Sequence, residues 1–196
     1  MRIVAPTLVA SALLFGVAPL SSQSSRALPE TFTALAVNIN SANAAAGATN
    51  VDIRIERWSS DADRDRLLEV LRQQKDNDRA TQDLLRALQE LPRVGSIRTP
   101  SSVGWDLHYA RENPLEDGGR QIVIAMDRPI GAWEAGSQAR TLDYPFTVVE
   151  LRLNKDDVGE GKLLAGTKIY IDKANNLVLE NYSIQPVMLG DVKKVD

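Results

Sequence analysis

Two segments near the start of the chain alternate apolar and polar residues, the pattern of a strand with one buried face. The segment 32–40 (FTALAVNIN) alternates weakly. The segment 51–58 (VDIRIERW) is clearer, because Val51, Ile53 and Ile55 fall on one face and charged residues fall on the other. We therefore expect the fold to begin with two strands.

The spacing of apolar residues then changes to that of a helix. Ser60 is a favourable N-cap, acidic residues follow it, and leucines recur at helical spacing at 67, 68 and 71. After the polar stretch 74–79, a second segment has one apolar face and ends at Pro92. That face consists of Ala80, Leu84, Ala87, Leu88 and Leu91. The pattern predicts an amphipathic helical hairpin.

From Val94 onward the pattern is typical of strands separated by turns. The predicted strands are 95–99, 104–112, 121–127, 146–153, 162–172 and 177–184. Strands in such close succession leave no room for crossover helices, so the sheet should be antiparallel. The expected fold class is α+β: a curved antiparallel sheet or a partly closed β-barrel of about eight strands, with the two-helix hairpin inserted after strand 2.

The first 26 residues have the layout of a secretory signal peptide. Arg2 supplies a positive charge, residues 9–18 form a short apolar run, and small and polar residues follow. We expect cleavage between Ser22 and Ala27, a single α+β domain over 30–190, and a polar tail over 191–196. The apolar run is short for a bilayer span. The protein is therefore expected to be exported, periplasmic or secreted, with no membrane span after signal cleavage.

The amino-acid composition excludes several kinds of functional site. The chain has 196 residues, no cysteine and a formal net charge of −3. The lack of cysteine excludes disulfides, thiolate metal sites and a cysteine nucleophile. No basic stripe with interleaved aromatic residues occurs, so we expect no nucleic-acid partner. No nucleotide-binding glycine motif occurs either, and we expect no cofactor.

His108 is the only histidine in the chain. If 104–112 is one strand, His108 lies on its wetter face with Asp106 and Glu112, opposite a more apolar face that should contact the core. That face would hold Trp105, Leu107, Tyr109 and Arg111. One hypothesis makes His108 an acid or base oriented by Asp106. The favoured interpretation is a solvated histidine beside two carboxylates, because no nucleophile motif accompanies it.

The acidic turn 154–161 (NKDDVGEG) has the composition of a calcium loop. Its spacing does not match the EF-hand, which needs ligands at alternate positions and a closing glutamate at the twelfth. It is better explained as a hairpin loop, and we predict no metal site.

The long segment 127–146 contains aromatic residues among charged ones, and long structured loops are often functional. We predict a ligand-binding set drawn from this segment and from strand 104–112. Its members are Trp105, Tyr109, Arg128, Trp133, Arg140 and Tyr144. In the alternative, Trp133 fills the end of the core and the charges are solvated. We predict no catalytic residue.

The segments 98–134 and 141–154 resemble a group of exported bacterial proteins that has no assigned function. The resemblance implies export and a single domain, and it transfers no activity.

The sequence as a whole leaves three hypotheses about function. The first is an exported, non-enzymatic domain that binds a small or apolar ligand inside the curved sheet. The second is a protein–protein interaction module of the cell envelope. The third is a hydrolase that uses carboxylates or His108.

Overall fold

In this computed structural model, the described residues are 27–37, 48–73, 77–128, 145–171, 177–181 and 186–195, and they form ten strands and two helices. The strands are β1 (Glu30–Val37), β2 (Ala48–Ile55), β3 (Gly95–Arg98), β4 (Trp105–Leu107), β5 (Tyr109–Pro114), β6 (Arg120–Met126), β7 (Phe146–Leu153), β8 (Val158–Ile171), β9 (Leu177–Asn181) and β10 (Val187–Val195). The helices are α1 (Asp61–Gln73) and α2 (Asn77–Gln89).

The ten strands form one antiparallel sheet. Its order is β4-β3-β2-β1-β10-β8-β7-β6-β5, and β9 pairs with the far half of β8. The helical hairpin is the only helical insertion among the described residues, and it lies between β2 and β3. The predicted α+β class and the predicted hairpin after strand 2 are confirmed.

The sheet curls into a nearly closed barrel, because its two edges are consecutive strands. β4 pairs with β3, β5 pairs with β6, and only His108 separates β4 from β5. The backbone N–H of His108 donates to the carbonyl of Ala125 in β6, 3.2 Å away. Beyond the first residue of β3, Gly95, the bent strand bonds to Ser59 instead. The Ser59 N–H donates to the carbonyl of Ala110 at 2.8 Å, and the Ser59 Oγ accepts from the Ala110 N–H at 3.1 Å. One bent strand therefore joins the two edges.

Apolar side chains fill the interior of the barrel. Phe32, Ile53, Ile124 and Leu151, from four different strands, are each 0% exposed. A void large enough for a water molecule would leave accessible surface on the side chains around it. Glycine is required at one inward position, since a Cβ on Gly161 would lie 2.6 Å from the Glu150 carbonyl oxygen and 2.7 Å from a methyl carbon of Leu151. Side chains therefore fill the interior of the barrel around these inward-facing residues.

The helical hairpin covers the outside of the barrel. Its buried face consists of Leu71, Ala80, Leu84 and Leu88, which pack with Leu91 and with Phe146 at the start of β7. Ala87 is also buried, at 6% exposed. The predicted apolar face of α2 is confirmed, and that of α1 is confirmed at Leu67 and Leu71, whereas Leu68 is only partly buried and lies outside this cluster. Residues of β5, β6 and β8 pack against this cluster, so the helices shield one side of the sheet and leave the outer face of β1 and β10 uncovered.

Two predictions about strands are wrong. The segment 104–112 is not one strand, because the chain bends at His108 and faces reverse there: Leu107 and Ala110 both point into the barrel, whereas Tyr109 packs outside under the helices. The predicted polar tail is also incorrect, since 191–195 are the end of β10 and pair with β1 and β8. Val192 anchors this end of β10 in the core, at 0% exposed.

Candidate functional site

A buried arginine closes one end of the barrel. Arg120, at the start of β6, donates to three carboxylates: Glu30 at 2.6 Å, Glu112 at 2.8 Å and Asp157 at 2.8 Å. Its side chain is 5% exposed and Glu30 is completely buried. The guanidinium carbon also lies 5.4 Å from the centre of the Phe32 ring, within cation–π range. We call these four charged residues the Arg120 cluster.

The Arg120 cluster is organised by strand ends and one turn. Asp157 ends the β7–β8 turn with a φ of 58°, a left-handed conformation that aspartate tolerates. Its backbone carbonyl accepts from the N–H of Lys194, and the ammonium of Lys194 lies 3.9 Å from Glu30. Burial by itself would lower the pKa of Arg120. Its hydrogen bonds to Glu30 and Glu112 outweigh burial, so the pKa is raised and the residue stays charged.

One oxygen of the cluster has no partner. Glu30 Oε1 is buried and makes no hydrogen bond, and the same holds for the indole nitrogen of Trp58. All three carboxylates are nonetheless directed at Arg120 rather than at a shared metal position. No set of three or more histidine and carboxylate side chains in the described ranges could hold a metal ion. The Arg120 cluster therefore has a structural role: it joins the strand ends and the β7–β8 turn at this end of the barrel.

His108 lies where the helical hairpin meets the barrel. Its Nδ1 is 3.2 Å from the carbonyl oxygen of Leu91, which can only accept, so Nδ1 carries the proton. Its Nε2 faces Asp127 at 3.7 Å, and Gln89 of α2 donates to the other oxygen of Asp127 at 3.4 Å. The side chain of His108 is 16% exposed.

The predicted neighbours of His108 are therefore wrong. Asp106 accepts from Arg93 at 2.7 Å, and Glu112 belongs to the Arg120 cluster. The favoured picture of a solvated histidine is also incorrect, because the bend between β4 and β5 turns the ring under α2. The ring nitrogens of His108 contact the Leu91 carbonyl and Asp127, and in the described part of the chain neither contacts a serine, threonine or lysine side chain. Its contacts join the helix to the barrel.

The predicted ligand-binding residues do not all come together. Trp105 is half-buried against the barrel core, whereas Tyr109 packs on the opposite side of the sheet with the helical cluster. Burial raises the pKa of Tyr109 to about 12, so its hydroxyl stays neutral at physiological pH. Arg128 is exposed just after β6 and donates to Asp127 at 3.2 Å. The other three residues, Trp133, Arg140 and Tyr144, lie outside the described residues.

The outer face of the barrel that the helices leave uncovered carries apolar residues. Leu35 and Val37 of β1 are 38% and 36% exposed, and both point outward. Met188 of β10 pairs with Val37, and Gly190 pairs with Leu35. We call Leu35, Val37 and Met188 the apolar strip. No role was predicted for these residues, although the exposed positions in β1 follow from its alternation.

A charged ladder borders the apolar strip. Lys162 pairs with both Met188 and Glu150, and Glu160 pairs with Arg152. An open groove of about 290 Å³ lies here on the outside of the barrel. It is lined by Glu150, Arg152, Glu160, Gly161, Lys162 and Met188. We call Glu150, Arg152, Glu160 and Lys162 the charged ladder. Cross-strand pairs of opposite sign stabilise a sheet modestly, and they also leave a patterned surface.

The chain matches no protein-family model, and neither the curated proteins nor the solved structures contain a match to it. No helix among the described residues is long and apolar enough to cross a bilayer.

Proposed function

We propose that this protein is an exported, non-enzymatic interaction domain of the cell envelope that binds protein through the uncovered outer face of its barrel. The observation that carries the proposal is the apolar strip. Leu35 and Val37 are exposed at neighbouring outward positions, and no residue of β1 in the described ranges packs in the helical cluster. Exposed apolar residues that adjoin one another on a protein surface are typical of interaction sites.

The filled interior of the barrel favours a binding site on its outer surface. Small-molecule sites are usually concave pockets of roughly 300–1,000 Å³. Fifteen of the twenty residues of the main core cluster are 0% exposed, so they border no such space. In the Arg120 cluster each carboxylate accepts a hydrogen bond from Arg120, so the cluster offers a substrate no activated nucleophile.

Site-specific photo-cross-linking tests the proposal. A photoreactive residue at Val37 is expected to capture one defined protein in the intact envelope, whereas the same residue at exposed Gln82 of α2 is not. The substitution Leu35→Asp should abolish capture at Val37 while far-ultraviolet circular dichroism stays unchanged. Equal labelling from Val37 and Gln82, or capture that persists in Leu35→Asp, would contradict the proposal.

Export is tested in the same cells. The leader-like sequence before Ala27 supports export, and mass spectrometry of the purified protein should find a new N-terminus between Ser22 and Ala27. A cytoplasmic protein that retains Met1 would rule it out.

A small apolar ligand at the barrel end opposite the Arg120 cluster is the second candidate. Trp105 begins the bent strand whose other end reaches that cluster, and it is half-buried against the core. Exposed Arg128 follows β6 at this same end. Native mass spectrometry of protein purified from its envelope should then show a bound small molecule that is lost in Trp105→Ala. A bare protein mass in both samples would exclude this candidate.

A further inference from the structure

The strand register arranges the uncovered outer face into two matching rows. The first row crosses β1, β10, β8 and β7 as Val37, Met188, Lys162 and Glu150. The second row consists of two pairs, Leu35 with Gly190 and Glu160 with Arg152. Between these pairs the register of β10 against β8 shifts, in the stretch from Leu189 to Val192. Each strand contributes two residues that are two positions apart, so both members point outward.

The two rows are complementary to each other at every column. On β1, the members are both apolar. On β10, the large side chain of Met188 has Gly190 as its counterpart. The space above Gly190 is open, because a Cβ there would meet nothing nearer than the Leu35 carbonyl oxygen at 4.0 Å. On β8 and β7, the members carry opposite charges, in the order Lys162 with Glu160 and Glu150 with Arg152.

We propose that this face is a two-fold interface with a second copy of the chain. A two-fold axis parallel to the face and perpendicular to the strands, midway between the rows, exchanges the rows of the two copies. Val37 then faces Leu35 of the second copy, and Met188 faces the open space above Gly190. Lys162 faces Glu160. Because the barrel surface is convex, β7 curves away from the second copy, and Glu150 and Arg152 flank the contact. The inference rests on the proposed function, and it names the partner of the same face.

Isologous interfaces are the commonest kind in soluble oligomers, and they require a surface that is complementary to itself. The sign pattern of the charged ladder meets that requirement: a ladder with one sign throughout would repel its own copy. The exposed Leu35 and Val37 give such an interface an apolar contact along β1, at one end of the charged ladder. Because the face is convex and only its central strands can meet the second copy, we expect a dissociation constant on the order of micromolar rather than nanomolar.

Charge exchange is the decisive experiment. Sedimentation velocity of the purified protein over about 1–500 µM should show a species with twice the mass of one chain. Lys162→Glu alone or Glu160→Lys alone sets like charges against each other twice per dimer, and each should raise the dissociation constant at least about tenfold. The protein that carries both changes should dimerise as the unaltered protein does, because the opposite signs are restored.

The matched control is Arg86→Glu on α2, which changes the charge by the same amount away from the face and should leave the dissociation constant unchanged. Circular dichroism and urea unfolding of each variant check that the fold is retained. A dimer that both single variants weaken and that the exchange restores supports the proposal. A dimer that the exchange fails to restore overturns this arrangement.

A protein that stays monomeric over the whole concentration range also overturns the inference. If the photoreactive residue at Val37 then captures a different protein, the proposed function stands and only the identity of the partner changes. If Val37 captures nothing either, both proposals fail.

Discussion

Replacing Arg120 by methionine removes the cation that three buried or half-buried carboxylates share. Methionine keeps much of the length and the apolar stem of arginine, so the change leaves the Phe32 ring covered and isolates the loss of charge. Glu30 is affected most, because it is 0% exposed and its Oε1 already has no partner. Glu112 and Asp157 are 19% and 17% exposed and can regain water.

The expected cost follows from this difference in exposure. Removing one partner of a buried ion pair typically costs about 3–5 kcal/mol, because the remaining charge is buried without compensation. We expect about 3 kcal/mol, the lower end, since the Lys194 ammonium stays 3.9 Å from Glu30. With a urea dependence of about 2 kcal/mol per molar, the unfolding midpoint at pH 7 should fall by about 1.5 M.

Two further variants make the reasoning refutable. Arg120→Met combined with Glu30→Met removes both buried charges and should be more stable than Arg120→Met alone by at least about 1 kcal/mol. The control Arg98→Met breaks a surface pair with Asp52, in which the Arg98 side chain is 65% exposed, and should cost less than about 1 kcal/mol. If the double variant is less stable than Arg120→Met, the Arg120 cluster is not held by the charge balance inferred here.

Three other outcomes are expected. Ser60 and Asp63 form a reciprocal cap at the start of α1, with bonds of 3.1 and 2.8 Å, so Ser60→Ala should lower the free energy of unfolding by about 1 kcal/mol in urea titrations, and an unchanged midpoint would argue against the cap. Leu151→Ala should cost about 2–5 kcal/mol because the side chain is 0% exposed in a filled barrel, and a loss well below that range would indicate unfilled space around it. The Tyr109 pKa is raised from 10.0 to about 12, so the unfolded chain loses this proton first and the free energy of unfolding should fall as pH rises from about 10 to about 12. Tyr109→Phe should lack this part of the decline, and identical pH profiles for the two proteins would contradict it.

The elements that the sequence predicted correctly are those whose signal is local. Alternation over VDIRIERW is sufficient for β2, and the apolar faces and the cap at Ser60 are sufficient for both helices. The hairpin loop predicted over 154–161 is present but shorter, because β8 already begins at Val158. Asn154 holds the turn by accepting from the backbone N–H groups of Asp156 and Val158. Close succession of the strands implied an antiparallel sheet, which the pairing confirms.

The predictions that failed depended on contacts between distant residues. Alternation placed Tyr109 beside Leu107, but the chain bends at His108 because the two halves of that strand must pair with different neighbours to join the edges of the barrel. Nothing in 104–112 signals the bend. Asp127 lies 19 residues from His108, and Glu30 lies 90 residues from Arg120, so no local pattern links either pair.

The sequence by itself determined the order and type of most elements, with the division of 104–112 and the last strand as exceptions, since hydrophobic period, caps and turn residues act within a few positions of one another. Tertiary structure alone decided that the sheet nearly closes, that its interior is filled, and that Leu35, Val37 and Met188 adjoin a charged ladder on the outside. The physical reason is register. Which residues become neighbours across a sheet is set by pairing between strands far apart in the chain, and that pairing is selected by how all the inward side chains pack together.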